Sequence, residues 1–513
     1  MSEHTASSAP ARATGRDWLG LAVIALPCMV YAMDMTVLNL ALPVLSAELR
    51  PSAAQLLWMV DIYSFLVAGF LITMGNLGDR IGRRKLLLIG GAAFGLASLI
   101  AAFSTSAEML IAMRALLGVA GATLAPSTMS LIRNMFHDEE QRRFAIGVWI
   151  ASFSMGAAIG PLVGGALLQW FHWGSVFLVA VPVMLLLLVL GPLVLPEFKD
   201  SEAGPIDLAS ALLSLASVLA AVYGIKTIAT HGLALSGLLP LAAGVALGWV
   251  FVRRQSRLAH PLLDIALFRQ PRFAAALAAY ALSCLAMFGV YIFITQYLQV
   301  VRSLDPLSAG LVTLPWALAF VFGSLGAPRL ANWFAPVRIL VGGQVAAVAG
   351  FLMLLMVDAG TGLPWLVAGT VVMSLGMAPV FTLGNEIIIT SAPPERAGAA
   401  SALSETASEL SGAMGVALLG SLGVAWYQAR VGAGLPAALP APAAEAARDT
   451  LAGALHAAGS LGGAEGPVFA ALARGAFVES MHLVTLAGAA VIAAACVMTT
   501  LLLMRQPAAA TAA

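Results

Sequence analysis

The sequence predicts an all-α integral membrane protein that crosses a bilayer about 14 times. Three observations carry this. Of 513 residues, 60% are hydrophobic and only 10% charged, against about 25% charged in a soluble domain. Apolar runs recur at the length of about 20 residues that a helix needs to cross the hydrocarbon core. The basic residues between those runs fall mostly on alternate sides, the bias that fixes orientation in a membrane.

The runs lie near 18–43, 53–74, 86–104, 108–132, 143–168, 174–195, 206–229, 233–252, 272–299, 307–327, 337–357, 362–388, 397–426 and 477–504. An even number puts both termini on one side. Of the 26 basic residues, Arg50, Arg302, Arg430, Arg448 and Arg474 fall in outer loops, and Arg114 and Lys226 fall inside runs. The others, such as Arg253, Arg254 and Arg257, fall with the termini. The reading is therefore a multi-pass membrane protein with both termini cytoplasmic. Trp18, Trp58, Trp170, Trp173, Trp249, Trp365 and Trp426 stand near run ends, where an indole sits comfortably between lipid and water.

The expected organisation is a polar tail over 1–16, six helices over 17–196, and a linker with two helices over 197–256. Five more helices follow over 257–426, then an external loop over 427–476 and a last helix and tail over 477–513. The 427–476 loop, rich in Ala, Pro and Gly, is expected to be weakly ordered or to carry a short helix. A net charge of +1 gives no whole-molecule basis for nucleic-acid binding, and Cys28, Cys284 and Cys496 are too scattered for a metal site or a disulfide framework. No metal and no cofactor is expected.

Charges inside a membrane are costly and mark candidate sites. They are Asp34, Asp61, Arg114, Lys226, Glu386, Glu405 and Glu409. Asp34 and Asp61 stand on consecutive antiparallel helices at similar depth. Burial disfavours a carboxylate's charge, so either could exchange a proton. Glu405 and Glu409, at i and i+4, share one helix face. Two close carboxylates in low dielectric do not both ionise easily, which suits a proton carrier or a cation site. Glu386, near a run end, reads as interfacial. Tyr31, Tyr63, Trp149, Trp316 and Phe381 are candidates to line a cavity and to meet a cation with their ring faces.

Two glycine patterns stand out. Gly75, Asp79, Arg80, Gly82, Arg83 and Arg84, with Lys85, form a glycine-and-arginine stretch between the second and third runs. It reads as a tight loop in which Asp79 caps a helix, with a basic cluster that meets lipid head groups or holds topology. In the fifth run, Gly156, Gly160 and Gly164, with Gly165, make a flat face for close helix contact, and Pro161 invites a bend.

Together these features resemble the major facilitator superfamily, in its 14-segment drug–proton antiporter branch. The stretch from Gly75 to Lys85 resembles the signature between helices 2 and 3. Arg114, Gly118 and Gly121 in MRALLGVAGA resemble the helix 4 signature, Gly156 to Gly165 the antiporter signature, and DMTVLNLALP from Asp34 a helix 1 signature. VDIYS, WFHWGS followed by FLVAVP, and VYGIK resemble the exporters of quaternary ammonium compounds and methyl viologen. Ala180 stands where that subgroup usually has Asn, and LPWALAFVFG lacks the acid some relatives carry there. Asn332 replaces Asp in the second-half counterpart of the helix 2–3 signature.

The resemblance implies two six-helix bundles with two helices inserted between them, a cavity between the bundles, and alternating access. It implies a functional switch at the helix 2–3 signature, with Asp79 meeting Arg396, and a role for Arg114 in helping a nearby carboxylate release its proton. It implies a monomer, driven by the proton gradient, that exports lipophilic organic cations such as quaternary ammonium compounds, dyes, viologens and biguanides. Export of an endogenous metabolite is the alternative, though an anionic or zwitterionic substrate calls for more membrane cations than Arg114 and Lys226. A membrane enzyme or receptor is remote, because the sequence carries no metal cluster, nucleophile elbow, phosphate loop or sizeable soluble domain.

Overall fold

The computed structural model describes residues 12–199, 207–258, 261, 265–360, 362–392, 397–462 and 464–503. Within these helices the side chains of Asp79 and Lys226 are not described. Those two calls, the far ends of both tails and the expected Asp79–Arg396 contact therefore lie outside the described residues.

No strand occurs among the described residues. The first half runs α1 Gly15–Leu49, α2 Ala53–Ile81, α3 Arg83–Ala102, α4 Ala107–Gly121, α5 Leu124–Met135, α6 Glu139–Trp170, α7 Ser175–Leu178 and α8 Ala180–Val194. A hairpin follows, α9 Leu208–His231 and α10 Leu235–Gln255. The second half comprises α11 Pro271–Gln296, α12 Pro306–Leu330, α13 Pro336–Met353, α14 Leu363–Thr390, α15 Ala397–Ala433, α16 Ala441–Asp449, α17 Leu451–Ser460 and α18 Glu465–Leu502. Thirteen spans in the described residues are long and apolar enough to cross a membrane, α4 with α5 and α7 with α8 each forming one. The remaining place in the series belongs to α2, whose described apolar stretch is Trp58–Leu71.

The helices sort into two bundles. In the first, α1 packs on α6 and α8, α3 on α4 and α8, and α2 on α4. In the second, α11 packs on α15 and α18, and α14 on α12 and α13. They meet where α6 lies on α12 and α2 on α15, while α9 leans on both α2 and α15. The end of α1 and the start of α18 line one cavity. That end of the molecule is called the far pole here; the start of α1 and the end of α18 lie at the near pole.

Several local expectations are corrected. The stretch after Gly75 is not a loop: α2 continues through Gly75, Asp79 and Arg80 to Ile81, and α3 begins at Arg83. The whole reversal is made at Gly82, whose φ of 114° is open to glycine and strained for other residues. The start of α3 is capped by Glu197 from beyond α8. Its carboxylate accepts from the backbone N–H groups of Arg84 at 3.0 Å and Lys85 at 3.2 Å, where the helix dipole favours an anion. Pro161 lies inside α6, which runs from Glu139 to Trp170. The fourth run does break, at Ala122 and Thr123 between α4 and α5. The loop expected over 427–476 is largely helical. It carries the last turns of α15, then α16 and α17, then the start of α18, and Ala447, Leu451, Ala454, Ala457 and Ala458 are buried.

The glycine face of α6 explains the bundle geometry. A methyl group at Gly156 would stand 2.0 Å from the Met29 carbonyl oxygen, and at Gly160 2.2 Å from the Thr36 hydroxyl. Here α1 and α6 are in backbone contact, which only glycine permits. Gly165 turns to the other bundle, its missing methyl 2.7 Å from the Pro306 carbonyl of α12. Gly310 of α12 answers it, pressed against the Pro161 carbonyl at the same 2.7 Å. The motif thus serves both the interior of the first bundle and its seam with the second, at the far pole.

Candidate functional site in the membrane interior

The two halves each bring acids to the centre, and the acids have different company. On α1, Asp34 is buried and accepts a hydrogen bond from Arg114 Nη1 of α4 at 2.5 Å. Arg114 is only 2% exposed. Its Nε donates to the Met59 carbonyl at 3.1 Å, and its guanidinium lies 4.4 Å from the Tyr63 ring centroid. A carboxylate, a carbonyl and an aromatic face therefore hold this buried cation. All belong to one bundle.

Asp61 is 1% exposed and lies between Met59 and Tyr63 on α2, hence at the depth of Arg114. At about 100° per residue, however, Asp61 sits on the opposite side of the helix from those two. It shares its face with Phe65, which packs against Val222 of α9 and Ala413 and Ala417 of α15. The structure therefore brings Asp34 and Arg114 together and sets Asp61 on the face that α2 turns to α9 and α15.

On α15, Glu405 is partly buried and Glu409 is 9% exposed. One turn apart, they face the same space and feel each other's charge. The Tyr31 hydroxyl of α1 donates to Glu409 Oε1 at 2.9 Å. That bond crosses from one bundle to the other. The other oxygen, Glu409 Oε2, is buried with no hydrogen-bond partner among the described residues. A buried acceptor left unmade costs about 1–3 kcal/mol, and more when charged.

Aromatic side chains surround this pair in two groups. Tyr31 stands 6.0 Å from Tyr63 and 5.7 Å from Phe153 by ring centroids, and Phe153 meets Trp149 edge-on at 4.7 Å. Trp149 donates to the Thr128 hydroxyl at 2.9 Å, which Cys28 also approaches. From the other bundle, Tyr280 is tied to Ser408 and lies within electrostatic reach of both glutamates. Phe381 packs on Tyr280 at 5.3 Å. Trp316 is not in this group: it pairs with Tyr291 at 4.7 Å, about 16 Å further along α11 than Tyr280. Glu386 is exposed near the end of α14. Phe153, Tyr280 and Ser408 were not picked out by sequence reasoning. Ser408 carried a signal, since it neighbours Glu409 on a helix; the two rings carried none.

The described residues hold no group of His, Cys, Asp and Glu side chains fit for a metal ion. Chemically the site can exchange a proton or a cation at one carboxylate pair, beside a second carboxylate already matched by an arginine.

Comparison with known proteins follows this geometry. Residues 24–416 match the family model described as Major Facilitator Superfamily. The multidrug efflux pump LfrA of Mycolicibacterium smegmatis is 46% identical over 94% of this chain and 96% of its own length. The methyl viologen resistance protein SmvA of Salmonella typhimurium is 36% identical over 92% and 95%. Among solved structures, a bacterial homologue of the human lysosomal transporter Spinster, inward-facing and unoccupied, superposes with a TM-score of 0.65 over 97% of this chain and all of that one, at 16% identity, a likeness of fold alone. With its two bundles and this breadth of similarity, the chain is a membrane transporter and not an enzyme, and it belongs to the Major Facilitator Superfamily.

Proposed function

We propose that the chain is a proton-coupled multidrug efflux transporter that exports lipophilic organic cations by proton antiport across a bacterial cytoplasmic membrane, near pole inward. The observation that carries the reading is Glu409. It is buried, one oxygen is held by Tyr31 of the opposite bundle, the other is unmatched, and Glu405 and aromatic rings stand beside it. A proton or an organic cation at that oxygen relieves the same unmet charge, so the two compete for one place. The rings add cation–π attraction for a delocalised or quaternary cation. Two of its relatives are named for multidrug efflux and methyl viologen resistance, which supports this class of substrate.

Asp34 takes a different part. Arg114 already balances its charge, so a cation gains little there, whereas a proton on Asp34 breaks the ion pair and frees the arginine. Asp34 is thus the proton-handling group of the first bundle, and Glu405 and Glu409 hold the cargo. Expelling a monocation against an inside-negative potential costs about 2.3 kcal/mol per 100 mV. One entering proton returns that electrical work, and the pH gradient drives the cycle. One chain supplies both bundles and every residue named, so a monomer suffices. Asp79, Gly82 and the arginines after it act as the near-pole switch in this scheme.

Ethidium efflux driven by an imposed pH gradient in everted vesicles tests the reading. Glu409→Gln is expected to abolish it, and Tyr31→Phe, which keeps the ring and loses the bond, to slow it several-fold, since a hydrogen bond to a charged group is worth about 1.5–3 kcal/mol. Wild-type rates in Glu409→Gln would sink the assignment.

A further inference from the structure

The far pole holds a second place suited to a cation. At 1.5 Å per residue, Gly420 stands about 17 Å beyond Glu409 along α15. There a cavity of about 110 Å³ opens between the bundles, bounded by Pro43 of α1, Phe293 and Gln296 of α11, Tyr427 of α15 and Phe477 of α18. A water needs about 10–15 Å³ of such space, so the cavity takes several waters or one small quaternary ammonium group. Its wall above α15 is Asp449, at the elbow where α16 meets α17.

The elbow is built into the fold. Tyr427, 4% exposed, donates its hydroxyl to the Ala447 carbonyl at 3.3 Å. Thr450 caps α17, accepting from Gly453 N–H at 3.0 Å, and Leu451 is buried behind it. Asp449 is partly buried and no cation pairs with it among the described residues. The charged group that influences it is Glu445, another acid. Arg448 next to it turns instead towards Gly432 of α15. Asp449 therefore lines an aromatic-walled cavity with no cation paired to it among the described residues. The turn that follows α11, Tyr297–Val301, borders this space through Val300 and is π-helical, a local irregularity often found at functional positions.

We propose that this cavity is an exit vestibule, a second and weaker binding site for quaternary ammonium head groups, with Asp449 as counter-ion and the faces of Phe293, Tyr427 and Phe477 as walls. The placement on the outer side rests on the antiport reading above; the binding itself does not. A cation leaving Glu409 meets this carboxylate before open water, which shortens the step across a desolvated gap. The α16–α17 pair roofs the vestibule.

Saturation-transfer NMR of tetramethylammonium with the purified full-length chain in nanodiscs tests it. Read in the Glu409→Gln background, so that the deeper site does not contribute, the Kd is expected to rise at least about tenfold in Asp449→Asn, the scale of one lost charge contact. Asp449→Glu, which keeps the charge, is expected to stay near wild type, and Glu409→Gln to retain this binding. Absence of binding in wild type, equal affinity in Asp449→Asn, or equal loss in Asp449→Glu with an unchanged thermal melt each overturns the proposal. Failure of ethidium efflux with binding intact and Asp449-dependent would instead refute the transport reading and leave the site standing.

Discussion

At Asp34 the chain buries a charge beside its counter-charge, and this sets what single substitutions do. Removing one partner of a buried ion pair costs about 3–5 kcal/mol, because the survivor is left uncompensated, whereas removing both is often mild. Arg114 has the Met59 carbonyl and the Tyr63 ring as further partners, but neither cancels its charge. Asp34→Asn and Arg114→Gln are each expected to lower the melting temperature markedly, and the double variant to recover much of the loss. A thermal-shift double-mutant cycle measures this, and simple additivity would exclude the coupling. The acids and the arginine were legible in the sequence, because an ionisable side chain within an apolar run has few innocent explanations. Their pairing was not. Tyr31 and Glu409 lie in different bundles and meet only when the bundles do, and Asp61 shared a depth with Asp34 while turning away on its own helix.

At the scale of the helix, α6 is the element on which most depends. Its face against α1 is backbone on backbone, so added atoms have no room. Gly156→Ala would place a methyl 2.0 Å from the Met29 carbonyl and is expected to cost at least about 1–3 kcal/mol, the scale of forced overpacking. Gly147 on the same helix has nothing within 4 Å of its missing methyl, so Gly147→Ala is expected to be neutral or slightly stabilising through helix propensity. Melting curves of the two variants side by side check this; similar losses would show that α6 responds to propensity and not to packing. Helix count and type were legible, since length and hydropathy decide them in a bilayer. The ends were not. The Gly75 stretch looks like a loop on its polar composition, yet α2 stays helical to Ile81 because its backbone bonds need only a turn of one residue at Gly82. Glu197 supplies the cap from 112 or more positions away, beyond the reach of any local rule. The 427–476 stretch looked loose on composition, but alanine is also the best helix former, and burial of Ala447, Ala454 and Ala457 settles the outcome.

Across the whole molecule, the bundles touch in two ways. At the core, Tyr31 donates a hydrogen bond to Glu409 across the boundary. At the far pole, Gly165 and Gly310 bring α6 and α12 together with no side chain between, so closure there depends on approach alone. Gly165→Leu is expected to hold the bundles apart at this seam. Cysteine pairs placed across α6 and α12 report it: cross-linking fast in the parent, slowed at least several-fold in the variant. Undiminished cross-linking would show that the seam opens elsewhere. One further consequence lies in the direction of change. Glycine has no smaller substitute, so this boundary already stands at the limit of closeness. Chance variation there can only thicken it, and each thickening moves the two bundles apart. The closed far pole is a one-sided extreme, which inherited change can relax and cannot tighten.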